Sequence, residues 1–261
     1  MDKSQVVIAV VNNKGGVGKT TTSVNLAAAR AAPRRRVLLI DLDSQASASL
    51  WLGVDRTRLK PSSANCLLHA FPLQRAIRAT TVGNLDLVTG SVELASADLS
   101  LADVPGRELT LKHVLQRVGQ RSDFVILDCP PNLSLVTINA LVAADALIVP
   151  VTPQHLAVEG LVSFLASADK VRGRLASRGR LLGMLLTMVV PGSSPGLELR
   201  ERLRAQYRDE VFYTEILASR ALEEAPAFGK TIFQHAPRSR AAASFKRLAG
   251  EMLERLRRTR R

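Results

Sequence analysis

The sequence predicts an α/β fold, a doubly wound and mostly parallel sheet with helices on both faces. Three observations carry this expectation. Apolar runs of four to six residues recur at Val6–Val11, Val37–Ile40, Phe124–Leu127 and Ala146–Val151, as strands buried on both faces do. Helical patterns separate these runs, which makes right-handed βα units the simplest connection. A glycine-rich loop joins the first strand to the first helix, the context a phosphate-binding loop needs.

The first βα unit is the most informative. After Val11 comes Asn12-Asn13-Lys14-Gly15-Gly16-Val17-Gly18-Lys19-Thr20, then a helix from Thr20 to about Ala32, ended by Pro33. The glycines let backbone N–H groups approach an anion with no Cβ in the way. The helix start, with Thr21 next in line, adds orphan donors and a partial positive charge. Lys19 is placed to reach β- and γ-phosphates, and the Thr20 hydroxyl to hold Mg²⁺. The strict spacing G-x-x-x-x-G-K-[ST] fails at its first position, Asn13, and a second lysine, Lys14, stands five residues before Lys19.

The strand Val37–Ile40 ends in Asp41-Leu42-Asp43. Carboxylates at i and i+2 on a strand end point the same way and face the carboxyl edge of the sheet. Leu52 to Ser63 is expected as a surface loop, Ser63 to Phe71 as a short helix, Leu85 to Thr89 as a strand, and Val92 to Ala102 and Glu108 to Gly119 as helices. The next strand closes in Asp128-Cys129-Pro130-Pro131, an apolar run ending in a carboxylate suited to hold Mg²⁺ through a water. The prolines stiffen the turn that follows, a candidate γ-phosphate switch. A strand at Ala146–Val151, a helix from His155 to Val171, a strand from Leu181 to Val190 and a helix from Leu197 to Tyr207 complete the alternation. The last helix, Ser239 to Arg258, carries an apolar stripe of Phe245, Leu248, Ala249, Met252, Leu253 and Leu256, with Lys246, Arg247, Arg255 and Arg257 opposite.

Across its 261 residues the chain is 46% hydrophobic and carries a net charge of +13. This fits one domain spanning 1–261 with a basic tail at 257–261. The charge favours polyanions such as nucleic acid or an anionic membrane surface. The apolar runs are strand-sized, so no membrane-crossing helix is expected. The N-terminus leads straight into the first strand, leaving no room for a signal peptide. Two cysteines, Cys66 and Cys129, are too few for a disulfide framework, so a reducing, cytoplasmic setting follows.

The segment Lys14-Gly-Gly-Val-Gly-Lys19-Thr20 resembles the deviant Walker A loop of the ParA/MinD family of ATPases. Asp-Cys-Pro-Pro at 128–131 and Glu-Ala-Pro-x-x-Gly-Lys at 224–230 are similar to the small, chromosomal-type (Soj-like) ParA proteins. The resemblance covers residues 5 to about 256, and no helix-turn-helix region precedes it as in larger plasmid forms. It implies ATP and Mg²⁺ as cofactors, an ATP-dependent sandwich homodimer, and hydrolysis aided by a Lys14 that crosses to the partner's nucleotide. It assigns Asp43 to orient the attacking water beside the metal site, Thr187 and Met188 to the adenine, and Gly15, Gly16, Val17, Gly18, Lys19, Thr20 and Thr21 to the phosphates. It further implies non-specific binding to nucleoid DNA, a ParB-like activator, and a role in partitioning a plasmid, chromosome or other large cargo.

The chain departs from that pattern in one surface. Leu217 stands at the family's adenine-framing proline, Ala218 and Ala221 at two arginines used for DNA binding, and Val189-Val190-Pro191-Gly192 where a further arginine is common. Arg220, Lys230, Arg238 and Arg240 are the candidate replacements. Other readings are a MinD-like membrane-associated ATPase using the last helix, an iron–sulfur reductase of the nitrogenase iron-protein type using the cysteines, and a nucleotide-dependent structural dimer.

Overall fold

The computed structural model describes residues 5–31, 35–118, 121–192 and 194–258. Strands β1 (Val6–Val10), β2 (Val37–Asp41), β3 (Arg78–Ala79), β4 (Leu85–Val88), β5 (Phe124–Asp128), β6 (Ala146–Val151) and β7 (Arg180–Leu186) form one sheet in the order β3-β4-β2-β5-β1-β6-β7. Every pairing is parallel except β3 with β4. The helices are α1 (Lys19–Arg30), α2 (Ser47–Trp51), α3 (Ser63–Leu68), α4 (Leu73–Ala76), α5 (Ala97–Ser100), α6 (Thr110–Val118), α7 (Leu135–Ala143), α8 (His155–Arg174), α9 (Ser194–Tyr207), α10 (Arg220–Glu224), α11 (Ile232–His235) and α12 (Arg240–Arg258).

Strand alternation divides the core in two. Val7, Ala9, Val125 and Leu127 pack towards α3, α6, α7 and α8. Val6, Ile8, Val10, Phe124 and Ile126 pack towards α1, α2 and α12. The chain leaves β1 in one direction and returns to its other side with β6, so the strand order reverses at β1. Such a reversal opens a crevice at the carboxyl edge. Register then aligns the chemistry, because Asp128 pairs with Val10 on one side and with Asp41 on the other.

Several expected boundaries move. The expected helix Val92–Ala102 divides into a 3₁₀ turn at Val92–Ser96 and α5. β7 stops at Leu186, because Met188 takes a left-handed conformation (φ 53°) that turns the chain; Val189 then bridges Leu217. β3 has only two residues, too few for alternation to reveal. Ala32 and Pro33, expected to close the first helix, lie outside the described residues, as do 259–261 of the basic tail; Arg257 and Arg258 belong to the last turn of α12.

The outer edge of β7 is occupied by residues 211–217. The Phe212 and Ile216 amides donate to the Met184 and Leu186 carbonyls, each at 2.9 Å. Arg255 closes the same edge and is not on the solvent side of α12. Its guanidinium lies 4.3 Å from the Phe212 ring centroid and donates to the carbonyls of Leu182 (3.1 Å) and Val211 (2.7 Å). Gly183 is required there, since a β-carbon would sit 2.8 Å from the Phe212 ring.

The apolar stripe of α12 is core. Phe245, Leu248, Ala249 and Met252 are buried against α1 and the sheet. Phe245→Ala should therefore cost about 3–5 kcal/mol of unfolding free energy, read from urea denaturation. A loss below about 1 kcal/mol would place the ring outside the core.

Candidate functional site

The loop between β1 and α1 is stapled from two sides. The buried Asn12 amide donates to the Pro150 carbonyl at the end of β6 (2.7 Å), and its oxygen accepts the Lys14 amide (2.9 Å). From the other side the Thr187 hydroxyl donates to the Val17 carbonyl at 2.9 Å. Gly16 and Gly18 are left-handed (φ 72° and 80°), which favours residues without a β-carbon. Lys19 is buried, and its ammonium donates to the Lys14 carbonyl at 2.8 Å. Burial lowers its pKa, and the charges of Asp128, Cys129 and Asp43 oppose that shift.

Asp128 ends β5 beneath this loop and is fully buried. Its two oxygens accept one hydroxyl each, from Thr20 and from Ser23, both at 2.8 Å. Burial and the neighbouring Asp41 hold its carboxyl above the usual carboxylate range. Asp41 and Asp43 have separate positions, contrary to the expectation that both face the crevice. Asp41 is fully buried and accepts the Ser49 hydroxyl (2.6 Å), the Ser49 amide (2.9 Å) and the Asp43 amide (3.1 Å), which fixes α2 to the sheet. Burial pushes its pKa up, against those hydrogen bonds. Asp43 reaches the crevice wall, with one oxygen accepting the Gln45 amide at 2.9 Å. The chain passes close by at Gly90, where a β-carbon would lie 2.6 Å from the Asp43 carbonyl.

These elements enclose a cleft of about 550 Å³. Its polar lining is Gly15, Gly16, Gly18, Lys19, Thr20, Thr21 and Asp43; its apolar lining is Leu50, Trp51, Pro131, Met188 and Pro226. The volume suits a ligand with a charged and a flat apolar end. The Thr20 hydroxyl over a carboxylate is a hard-oxygen donor set that fits Mg²⁺. Among the described residues no group of three or more Asp, Glu, His or Cys side chains is placed to hold a metal ion by itself. A Mg²⁺ that keeps its waters and takes phosphate oxygens needs none.

Of the expected site residues, Met188 lines the cleft and is 45% exposed. Thr187 does not line it; it is buried and spends its hydroxyl on the loop. Val17 is buried, and Lys14 points away, its ammonium 3.4 Å from Gln154 Oε1. Arg220 is ion-paired with Glu224 at 2.7 Å. Lys230 and Arg238 are exposed, and Arg240 lines a separate groove of about 480 Å³ with Tyr213, Glu215 and Arg247. Cys66 and Cys129 are both buried. Burial pushes the Cys66 thiol up to about 11 and holds the Cys129 thiol well above its usual value, an environment unlike that of cluster ligands. Sequence reasoning missed Ser23, Asn12, Ser49, Leu50, Trp51 and Pro226. Only Ser23 had a local signal, standing three residues after Thr20 on the same helix face.

Residues 5–179 match a family model described as an AAA domain. The chain is 42% identical over 249 residues to the chromosome-partitioning ATPase Soj of Thermus thermophilus, covering 95% of this chain and 96% of that protein. It is 40% identical over 246 residues to the sporulation initiation inhibitor protein Soj of Bacillus subtilis, covering 94% of this chain and 97% of that protein. Among solved structures, a Mycobacterium smegmatis protein described as cobyrinic acid a,c-diamide synthase, with bound ADP and magnesium, superposes with a TM-score of 0.85 at 31% identity. That match covers 97% of this chain and 96% of the other.

The buried Asp41 makes a pH signature. A carboxyl with a raised folded-state pKa stabilises the fold below its unfolded pKa, and that contribution is lost as pH rises through the folded value. Asp41→Asn removes this loss, so its stability relative to the parent should rise by about 1–3 kcal/mol between about pH 4 and about pH 8. Thermal or urea unfolding across that range checks it, and a pH-independent difference would refute it.

Proposed function

The chain belongs to the ParA/MinD-type family of AAA-domain ATPases, and from that premise we propose that it is an ATP-hydrolysing partition protein that dimerises around nucleotide and binds DNA without sequence preference. The carrying observation is the pair of lysines on one loop. Lys19 lies in the cleft, whereas the Lys14 ammonium lies outside it, 3.4 Å from Gln154. A lysine on the phosphate loop that does not serve its own cleft is available to a facing subunit.

Lys19 and the loop amides neutralise the phosphates, while Thr20, backed by Asp128 and Ser23, holds the metal. Mg²⁺, when bound, supplies charge neutralisation at the phosphate oxygens. Asp43 on the cleft wall orients a water in line with the γ-phosphate, and Leu50, Trp51, Met188 and Pro226 receive the base. Lys14 from the partner completes the charge stabilisation, a contribution of about 10³–10⁵ in rate for groups of this kind. Hydrolysis requires the dimer, so ATP times an assembly. The net charge of +13 supports a salt-sensitive contact with DNA phosphates. Dimerisation doubles that surface and makes binding cooperative with nucleotide. A ParB-like activator and a nucleoid location complete the proposal, with the whole chain acting as one ATPase domain.

Two observations favour this reading over its neighbours. The α12 stripe that a membrane-surface helix would need is committed to the core, and among the described residues no helix is long and apolar enough to cross a membrane. The mycobacterial neighbour's name denotes corrinoid amidation, whereas the Soj proteins match at higher identity over nearly the same span.

Binding to random-sequence duplex should be tight with ATP, weak with ADP or no nucleotide, and lost as salt is raised. Lys19→Ala should abolish nucleotide binding, and Asp43→Ala should prolong the DNA-bound state. Lys14→Ala should keep nucleotide binding but lower turnover by about 10³-fold. Duplex affinity that is equal in all nucleotide states would sink the switch.

A further inference from the structure

Trp51, the chain's one tryptophan, ends α2 and forms part of the apolar wall of the cleft beside Leu50 and Pro226. Its side chain is nearly buried, at 6% exposure. The indole N–H donates to the Lys230 carbonyl at 2.8 Å, a bond between positions 179 residues apart. The two segments cross at close range beside it. Gly53 and Gly229 are both left-handed (φ 81° and 63°), and a β-carbon on Gly229 would lie 3.3 Å from the Gly53 Cα. A second tie lies nearby, where the Ile232 amide donates to Asn25 Oδ1 of α1 at 2.8 Å.

The run 225–232 is thus held at two points, and both anchors belong to elements that frame the cleft. α1 begins at the phosphate loop. α2 is bolted to the sheet through Ser49 and Asp41. The same run contributes Pro226 to the wall, and exposed Arg220, Lys230, Arg238 and Arg240 lie on it or beside it in sequence. A planar base seated against Trp51 and Pro226 would restrict them together, since both line the cleft and α2 packs on the turn that carries Pro226. A ligand that favours one arrangement of a linked segment shifts its population.

We propose that Trp51 is a positioning residue through which an occupied cleft orders the 225–232 run, and with it the basic side chains offered to a polyanion. The coupling rests on the nucleotide reading above.

The test compares the full-length protein with W51F, which keeps a ring but has no N–H to donate. Both are saturated with a slowly hydrolysed ATP analogue, whose binding is measured by calorimetry. Amide hydrogen exchange is followed at 225–232, and random-sequence duplex binding is measured in the same samples. In the parent the analogue should slow exchange across the run by about tenfold or more. In W51F the slowing should fall below about threefold, the remainder coming from Asn25. The parent's tryptophan emission, which arises from Trp51 alone, should shift on addition of the analogue and needs no variant. Equal slowing in the two proteins, no slowing in the parent, or unchanged emission overturns the proposal. An analogue that fails to bind the parent overturns the nucleotide reading as well. Slowing that depends on Trp51 with no duplex bound in any state upholds the coupling and removes DNA as the partner.

Discussion

The structure depends on one buried carboxylate. Asp128 sits at the end of β5, level in register with β1 and β2, with no exposure to water. A buried carboxyl is costly unless its oxygens are satisfied. Here Thr20 and Ser23 supply one hydroxyl each, and both lie on the first turns of α1. That requirement fixes the start of α1 over the sheet and sets the height at which the glycine-rich loop must close. Asn12 and Thr187 then hold the loop from either side. Asp41 repeats the device one strand away, with Ser49 as the donor and α2 as the element positioned. Two buried acids on adjacent strands therefore locate the two helices that frame the cleft.

Much of this was legible beforehand. The apolar runs gave the strands because parallel strands buried on both faces leave little ambiguity. The loop 14–20 was legible because its chemistry is local, with glycines, lysine and threonine needing only each other's spacing. What stayed hidden depended on distant partners. Nothing in the spacing of Asp41 and Asp43 says that one carboxylate is consumed by Ser49 while the other reaches the cleft. Thr187 lies just past β7 and not inside a strand reaching Val190, and its hydroxyl bonds a carbonyl 170 residues away. Trp51 and Pro226 share a wall although one lies near the start of the chain and the other near its end. Arg255 read as a solvent-side charge from helical periodicity. Its cation–π contact with Phe212 and its carbonyl partners come from β7, which periodicity within one helix cannot show.

The division of labour in the cleft follows from the same geometry. Its polar lining comes from the first βα unit and Asp43, and the loop is held by hydrogen bonds of 2.7–2.9 Å through Asn12, Thr20 and Thr187. Its apolar lining is assembled from four separate stretches, around residues 50, 131, 188 and 226. A cleft whose polar lining comes largely from one continuous loop and whose apolar lining comes from scattered pieces keeps the former fixed while the latter answers to other parts of the molecule.

The covered margin of β7 has a bearing on crowding. Exposed strand edges invite pairing with other chains. On this protein one margin is filled by residues 211–217 and the Arg255 guanidinium, and the opposite one ends in the two-residue β3. Neither offers a long free ladder. Molecules of this chain gathered densely on a common scaffold would meet through side chains and not through backbone, so packing many copies side by side need not seed aggregation through the sheet.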